Sequence, residues 1–118
     1  MSMQYSNTAN LQTVGSVSII KATASLAGEG LNQCRQSLED CLAQRRALVI
    51  LDLSDSPLVN SQGLEFIVSA QEKCLARGGK LVVAEPQALC QEVLYITGVD
   101  QCVSVFDSLR SALGDFAR

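Results

Sequence analysis

The residues best placed to do chemistry lie in one stretch: Asp52-Leu-Ser-Asp-Ser-Pro-Leu-Val-Asn-Ser-Gln-Gly63, the longest polar run between two strongly apolar segments. It follows Ala47-Leu-Val-Ile-Leu51, a continuous apolar run of the kind found in a strand covered on both faces. Loops beyond the carboxyl ends of parallel strands are where α/β proteins place their sites. Asn60-Ser61 stands directly before an apolar helical stripe, so one of the two should cap free backbone N–H groups. Ser61 then holds its hydroxyl near the positive end of a helix, where an anion is favoured. Read on spacing alone, an Asn-Ser pair in this position is an ordinary N-cap.

The chain contains no His, which removes the Ser-His-Asp and Cys-His arrangements by inspection. Val59 stands where a nucleophile elbow wants its first Gly, so that strained turn is not specified either. Intrinsic catalysis is not expected. Asp52 ends the central strand where a phospho-aspartate could form, which makes a receiver domain a rival reading of the same fold class. That rival lacks an acidic pair after the early strand to hold Mg²⁺, and it lacks a Lys after Val103-Ser-Val105. Asp52 reads instead as a turn carboxylate bonding nearby N–H groups.

Cysteines fall at 34, 41, 74, 90 and 102, an odd number with no C-x-x-C pair and no His to complete a metal site. They are expected to be buried, reduced thiols, and no cofactor or metal is expected. The formal charge of -3 disfavours nucleic acid and anionic lipid as partners. No segment has the length of a membrane span, and the start lacks the basic and apolar regions of a signal peptide, so a cytoplasmic location and no membrane insertion are expected.

The elements that must position this loop follow from apolar periodicity. With 118 residues and 47% hydrophobic content against 18% charged, one domain with one core is expected. Residues 1–10 read as a flexible lead-in and residues 11–118 as the domain. Leu11–Val14 and Val17–Ala22 flank Gly15-Ser16 as a hairpin, and Leu31–Gln44 carries a helical stripe. A second stripe at Leu64, Ile67, Val68 and Leu75 ends at Gly78-Gly79, and Lys80–Ala84 is another buried strand. Pro86 suits the first turn of a helix carried by Leu89, Val93 and Leu94, Val103–Val105 is a short strand, and Asp107 caps a last helix. The expected fold is α/β: a mainly parallel central sheet, an N-terminal antiparallel hairpin and about four helices. Of the two apolar residues in the polar loop, Leu58 and Val59, one is expected to face inward and one outward.

Four landmarks stand in order: Leu51-Asp-Leu-Ser54, Asn60-Ser-Gln-Gly-Leu64, Gly78-Gly-Lys-Leu-Val-Val83 and Ile96-Thr-Gly-Val99. Together they resemble the STAS domain of anti-sigma factor antagonists over roughly residues 11–116. That family carries an Asp-Ser-Ser-Gly-Leu-type motif whose first Ser is phosphorylated by a partner anti-sigma kinase, and Ser61 matches it. The resemblance implies partner contacts at Ser25, Ala27, Ser56, Pro57, Leu58, Asn60, Gln62 and Gly63. The implied partners are an anti-sigma factor that is also a serine kinase, and a phosphatase, with the chain itself a monomer or weak dimer. Two departures remove negative charge: Asn60 stands where the family has Asp, and Ala24-Ser-Leu-Ala27 lacks the carboxylate of the family's Gly-x-Leu-Asp. Two unit charges 4 Å apart interact by about 4 kcal/mol at an effective dielectric near 20, so a phosphate on Ser61 meets less repulsion beside Asn60. A scaffold that docks a transporter ATPase or a signalling complex without cycling phosphate is the alternative role.

Overall fold

The computed structural model describes residues 9 to 117, in the order β1 (Ala9–Val14), β2 (Val17–Ala22), α1 (Gly28–Ala43), β3 (Leu48–Asp52), α2 (Ser61–Leu75), β4 (Lys80–Ala84), α3 (Ala88–Thr97), a 3-10 turn (Val99–Gln101), β5 (Val105–Phe106) and α4 (Leu109–Ala117). The strands form one sheet in the order β1-β2-β3-β4-β5, with β1 antiparallel to β2 and every other pair parallel. Each crossover steps to the adjacent strand in the same direction, and right-handed crossovers of that kind put their helices on one face.

The two cores follow from the alternation of side chains along the strands. Ile20, Val49, Leu51, Leu81 and Val83 point to the face covered by α1, α2 and α3, where Leu31, Leu38, Phe66, Ile67 and Leu94 meet them. Val17, Ile19, Ile50 and Val82 point the other way, toward Ala112 of α4 with Leu109, Leu113 and Phe116 around it. β3 is therefore covered on both faces, as its unbroken apolar run predicts.

Gly15 turns the hairpin at φ 60 with Val14 opposite Val17. β1 begins at Ala9, so Ala9 and Asn10 already pair with Ala22 and Lys21, and the remainder of the expected lead-in, residues 1–8, lies outside the described residues. Gly98 closes α3 in the left-handed region at φ 80.

Several local expectations are corrected. Leu75 and Leu89 are exposed, and their helices bury Phe66, Ala70, Cys74 and Cys90 instead. Pro86 precedes α3, whose N-cap is Gln87. β5 is Val105–Phe106, because Val103 is held by the turn before it, its N–H donating to the Val99 carbonyl at 3.1 Å. The last helix is capped not by Asp107 but by Ser108, whose Oγ accepts the Ser111 N–H at 3.0 Å, and by Glu85, whose Oε2 accepts the Leu109 N–H at 2.8 Å. Glu85 reaches across from the end of β4, which no local pattern reveals. Cys102 is exposed, unlike the other four cysteines.

Candidate functional site

The carboxyl edge of the sheet carries the site. Three loops leave it: residues 23–27 after β2, residues 53–60 after β3, and residues 85–87 after β4. The first two run side by side as a short parallel bridge between Leu26 and Val59. The Leu26 N–H donates to the Leu58 carbonyl at 2.9 Å, and the Asn60 N–H donates to the Leu26 carbonyl at 3.4 Å. Leu26 is completely buried, so this junction is anchored in the core.

Gly63 sits against that junction. A Cβ at position 63 would collide with the Leu26 carbonyl oxygen and lie 2.8 Å from Val59 Cγ2. The backbone of α2 can approach the loop after β2 only because this residue has no side chain.

More distant hydrogen bonds pin the loop after β3. Ser56 is fully buried, and its hydroxyl donates to the Ala24 carbonyl at 2.6 Å. The Cys90 thiol donates to the Ser56 carbonyl at 3.3 Å, and Gln87 Nε2 donates to the Ser54 carbonyl at 2.9 Å. Asp52 Oδ1 accepts the Ser54 N–H at 2.9 Å, with the residue only 5% exposed. That is the turn carboxylate expected from its position. Lys21 meets Asp55 at 3.5 Å on the solvent side.

On this fixed platform α2 begins. Asn60 is extended and is the cap: its Oδ1 accepts the Gly63 N–H at 2.8 Å, and its carbonyl accepts the Leu64 N–H at 3.0 Å. Ser61 is the first helical residue, exposed, and its hydroxyl has no hydrogen-bond partner among the described residues. The N–H groups of Ser61 and Gln62 are the donors left over at this helix start, and the first turn holds no acidic residue. An added anion therefore meets unpaired donors and the positive end of a fifteen-residue helix.

The sequence-predicted site residues divide by exposure. Pro57, Leu58, Asn60, Ser61 and Gln62 are exposed in a row, and Ser25 and Ala27 are half-buried on the neighbouring loop. Gly63 is buried as a close-approach residue, and the Ser56 side chain is engaged inside, so it shapes the loop rather than offering a contact surface. Leu58 is 54% exposed while Val59 packs against the core, the inward and outward division expected of the pair. The residues that hold the site together, Leu26, Gln87 and Cys90, are not among the sequence-predicted site residues. A lone Leu among Ser and Ala was the only local signal, and the bonds from Gln87 and Cys90 span more than thirty residues.

The thiols offer no nucleophile in the core. Burial pushes Cys34 and Cys74 up to about 11, and burial also raises Cys41 and Cys90, so all four stay protonated near neutral pH. Among the described residues no group of three His, Cys, Asp or Glu side chains is arranged to hold a metal ion.

The site is thus an exposed serine at the first position of a capped helix, set at the carboxyl edge of a mainly parallel sheet in an α/β domain. The family model of the STAS domain matches residues 8–112, and the chain belongs to that family. The resemblance carried by Asn60–Leu64 and the other three landmarks is thereby borne out for family and fold. TM1081 of Thermotoga maritima superposes with a TM-score of 0.86 at 23% identity, covering 93% of this chain and 95% of that one. The Bacillus anti-sigma factor antagonist SpoIIAA is similar in two forms. Its unphosphorylated form gives a TM-score of 0.78 at 14% identity over 92% of this chain and 96% of that one. Its phosphorylated form gives 0.71 at 15% identity over 93% and 99%. The murine anion transporter Slc26a9 contains a similar fold, with a TM-score of 0.69 at 19% identity over 86% of this chain and 18% of the transporter. No curated protein matches the chain in sequence.

Proposed function

We propose that this domain is a partner switch of the anti-sigma factor antagonist kind, binding an anti-sigma factor that is also a serine kinase while Ser61 is unmodified and released from it when Ser61 is phosphorylated. The observation that carries the reading is the exposed, unpartnered Ser61 hydroxyl at the first position of a capped helix, beside the exposed Pro57-Leu58 loop. The kinase transfers the γ-phosphoryl group of ATP to Ser61 Oγ, the hydroxyl proton leaves to a base of the kinase, and ADP departs. A phosphatase restores the serine by hydrolysis.

The physical basis is a difference in magnitudes. A phosphate adds a charge of about -1.5 to -2 at pH 7. Placed at a helix start it gains typically about 0.3–1 kcal/mol, whereas like-charge or badly solvated contacts across an interface cost several kcal/mol. Docking is lost while the domain stays folded. Leu58 supplies the apolar contact, Asn60 and Gln62 the polar rim, and Ser25 and Ala27 the adjoining loop. The domain works in the cytoplasm, where an ATP-dependent kinase operates, as a monomer or weak dimer.

Ala27 and Asn60, which replace two family carboxylates, and the likeness to part of Slc26a9 favour a second role, a docking module that never cycles phosphate. A pull-down from native cytoplasm with wild type, Ser61→Ala and Ser61→Asp, read by mass spectrometry, separates the two. Recovery of a kinase with the first two and its loss with Ser61→Asp supports the switch. A transporter component held equally by all three supports the docking module.

A further inference from the structure

The molecule carries its charges unevenly. From Ala47 to Glu72 and again from Leu81 to Leu109 the chain contains no Lys or Arg. Those two segments supply α2 up to its last turn, α3 and the 3-10 turn, so one flank of the domain is free of basic residues from either element. The acids there are Glu65 and Glu72 on α2, Glu92 on α3 and Asp100 in the 3-10 turn. Glu65 and Glu72 are exposed, and neither carboxylate has a partner among the described residues. The single cation of α2, Lys73, turns away toward α1, where it meets Glu39 at 3.2 Å.

Between α2 and the end of α3 this flank is indented by an open trough of about 390 Å³. Its walls are Leu64, Val68 and Val99, with Glu65 and Glu72 on the rim and Thr97 at one side. Leu64 and Val68 are only half-buried although they pack against the main core. Glu65 and Glu72 are seven residues apart, two turns of helix or about 10 Å along one face. An apolar floor with acids at that repeat is the complement of a helix that carries aliphatic anchors at i, i+4 and i+7 with Lys or Arg beside them.

We propose that the trough between α2 and the Thr97–Val99 segment docks a basic amphipathic helix of a partner protein. A second copy of this chain is a poor occupant, because a two-fold pairing of α2 would set Glu65 and Glu72 against acids of the same sign. An anionic lipid surface or a nucleic acid is repelled by the same acids. The surface differs from the loop edge at Pro57–Gln62, so the domain holds two partners or grips one at two places. Ser61 lies one turn before Glu65 on the same face of α2. A phosphate there, which rests on the reading of Ser61 as the phosphoacceptor, lengthens the acidic rim and strengthens this contact while it weakens the one at the loop edge.

The test uses the full chain, ¹⁵N-labelled, and a synthetic Leu/Lys amphipathic helical peptide, with a Leu/Glu peptide of the same apolar pattern as control. The Leu/Lys peptide is expected to shift the amides of Leu64, Val68, Thr97 and Val99 and to bind more weakly as salt is raised. Glu65→Lys/Glu72→Lys should weaken it by about tenfold, as two reversed surface charges allow. Glu29→Lys/Asp40→Lys on α1, an equal change in net charge, should alter affinity by no more than about twofold. Ser61→Asp should tighten binding by about twofold, and failure of that arm alone removes the link to phosphorylation and leaves the trough standing. Equal binding of the Leu/Glu peptide, shifts centred on another surface, equal effects of the two double variants, or no binding at about 1 mM peptide would overturn the proposal. Concentration-dependent shifts at the same amides without peptide would overturn it in favour of self-association.

Discussion

Replacing Gly63 with Ala tests whether the platform under Ser61 depends on close backbone approach. Inside a helix, Gly→Ala normally gains about 0.5–1 kcal/mol from backbone entropy and propensity. Here the new methyl group meets the Leu26 carbonyl oxygen, Val59 Cγ2 at 2.8 Å and Leu26 Cγ at 3.3 Å. None of these can retreat cheaply: Leu26 is completely buried and its backbone is tied to Leu58 and Asn60. Overpacking of that kind costs about 1–3 kcal/mol, and the propensity gain offsets only part of it, which leaves a net loss of about 1–2 kcal/mol. A chain of this length changes its unfolding entropy so that each kcal/mol moves Tm by about 4 °C, and the expected fall is about 4–8 °C by calorimetry. Gly114 in α4 is the internal control, since nothing stands within 4 Å of a Cβ built there. Gly114→Ala should raise Tm by about 2–4 °C from helix propensity alone. A Gly63→Ala protein that melts at or above wild type refutes the account of how α2 is seated.

Ser56→Ala removes the 2.6 Å bond to Ala24 and leaves a carbonyl under the loop without its partner. A loss of about 1–3 kcal/mol is expected in urea denaturation, together with weaker partner binding although residue 56 touches no solvent. Asn60→Ala should cost about 0.5–2 kcal/mol through the lost cap on Gly63, while Asn60→Asp keeps the cap and holds stability at or above wild type in the same melts. With a thiol reagent at pH 8, Cys102 should react fast and the other four cysteines only on unfolding. Burial raises Cys34 and Cys74 from 9.0 to about 11, so the unfolded chain gives up these protons first. Stability from this source is therefore complete below pH 9 and falls as pH rises toward 11, which melts across that range will show.

What was legible in the sequence was whatever depends on local pattern. Continuous apolar runs at 47–51 and 81–84 mark strands covered on both faces, and Gly15, Gly78 and Gly98 mark turns that need positive φ, as all three adopt. The helix stripes are legible too, but type and spacing misplace their ends. Leu75 and Leu89 look like core by residue type, yet they are exposed, and the small residues Ala70, Cys74 and Cys90 occupy the inward positions. The cap of α2 at Asn60 could be read because capping is local, whereas that of α4 could not, because half of it comes from Glu85. Ser56 shows the same limit. A serine in a polar loop looks exposed until the Ala24 carbonyl, thirty-two residues away, is placed above it.

Under the proposed function, one hydroxyl governs docking without governing the fold. Calorimetric titration of the anti-sigma kinase recovered from the cell, against unmodified chain and chain fully phosphorylated on Ser61, tests it most directly. The account predicts tight binding of the unmodified chain, a loss of about a hundredfold or more on phosphorylation, and amide spectra that change only around residues 24–27 and 55–65. Equal affinity of the two forms, or kinase-catalysed phosphate at a residue other than Ser61, would contradict it.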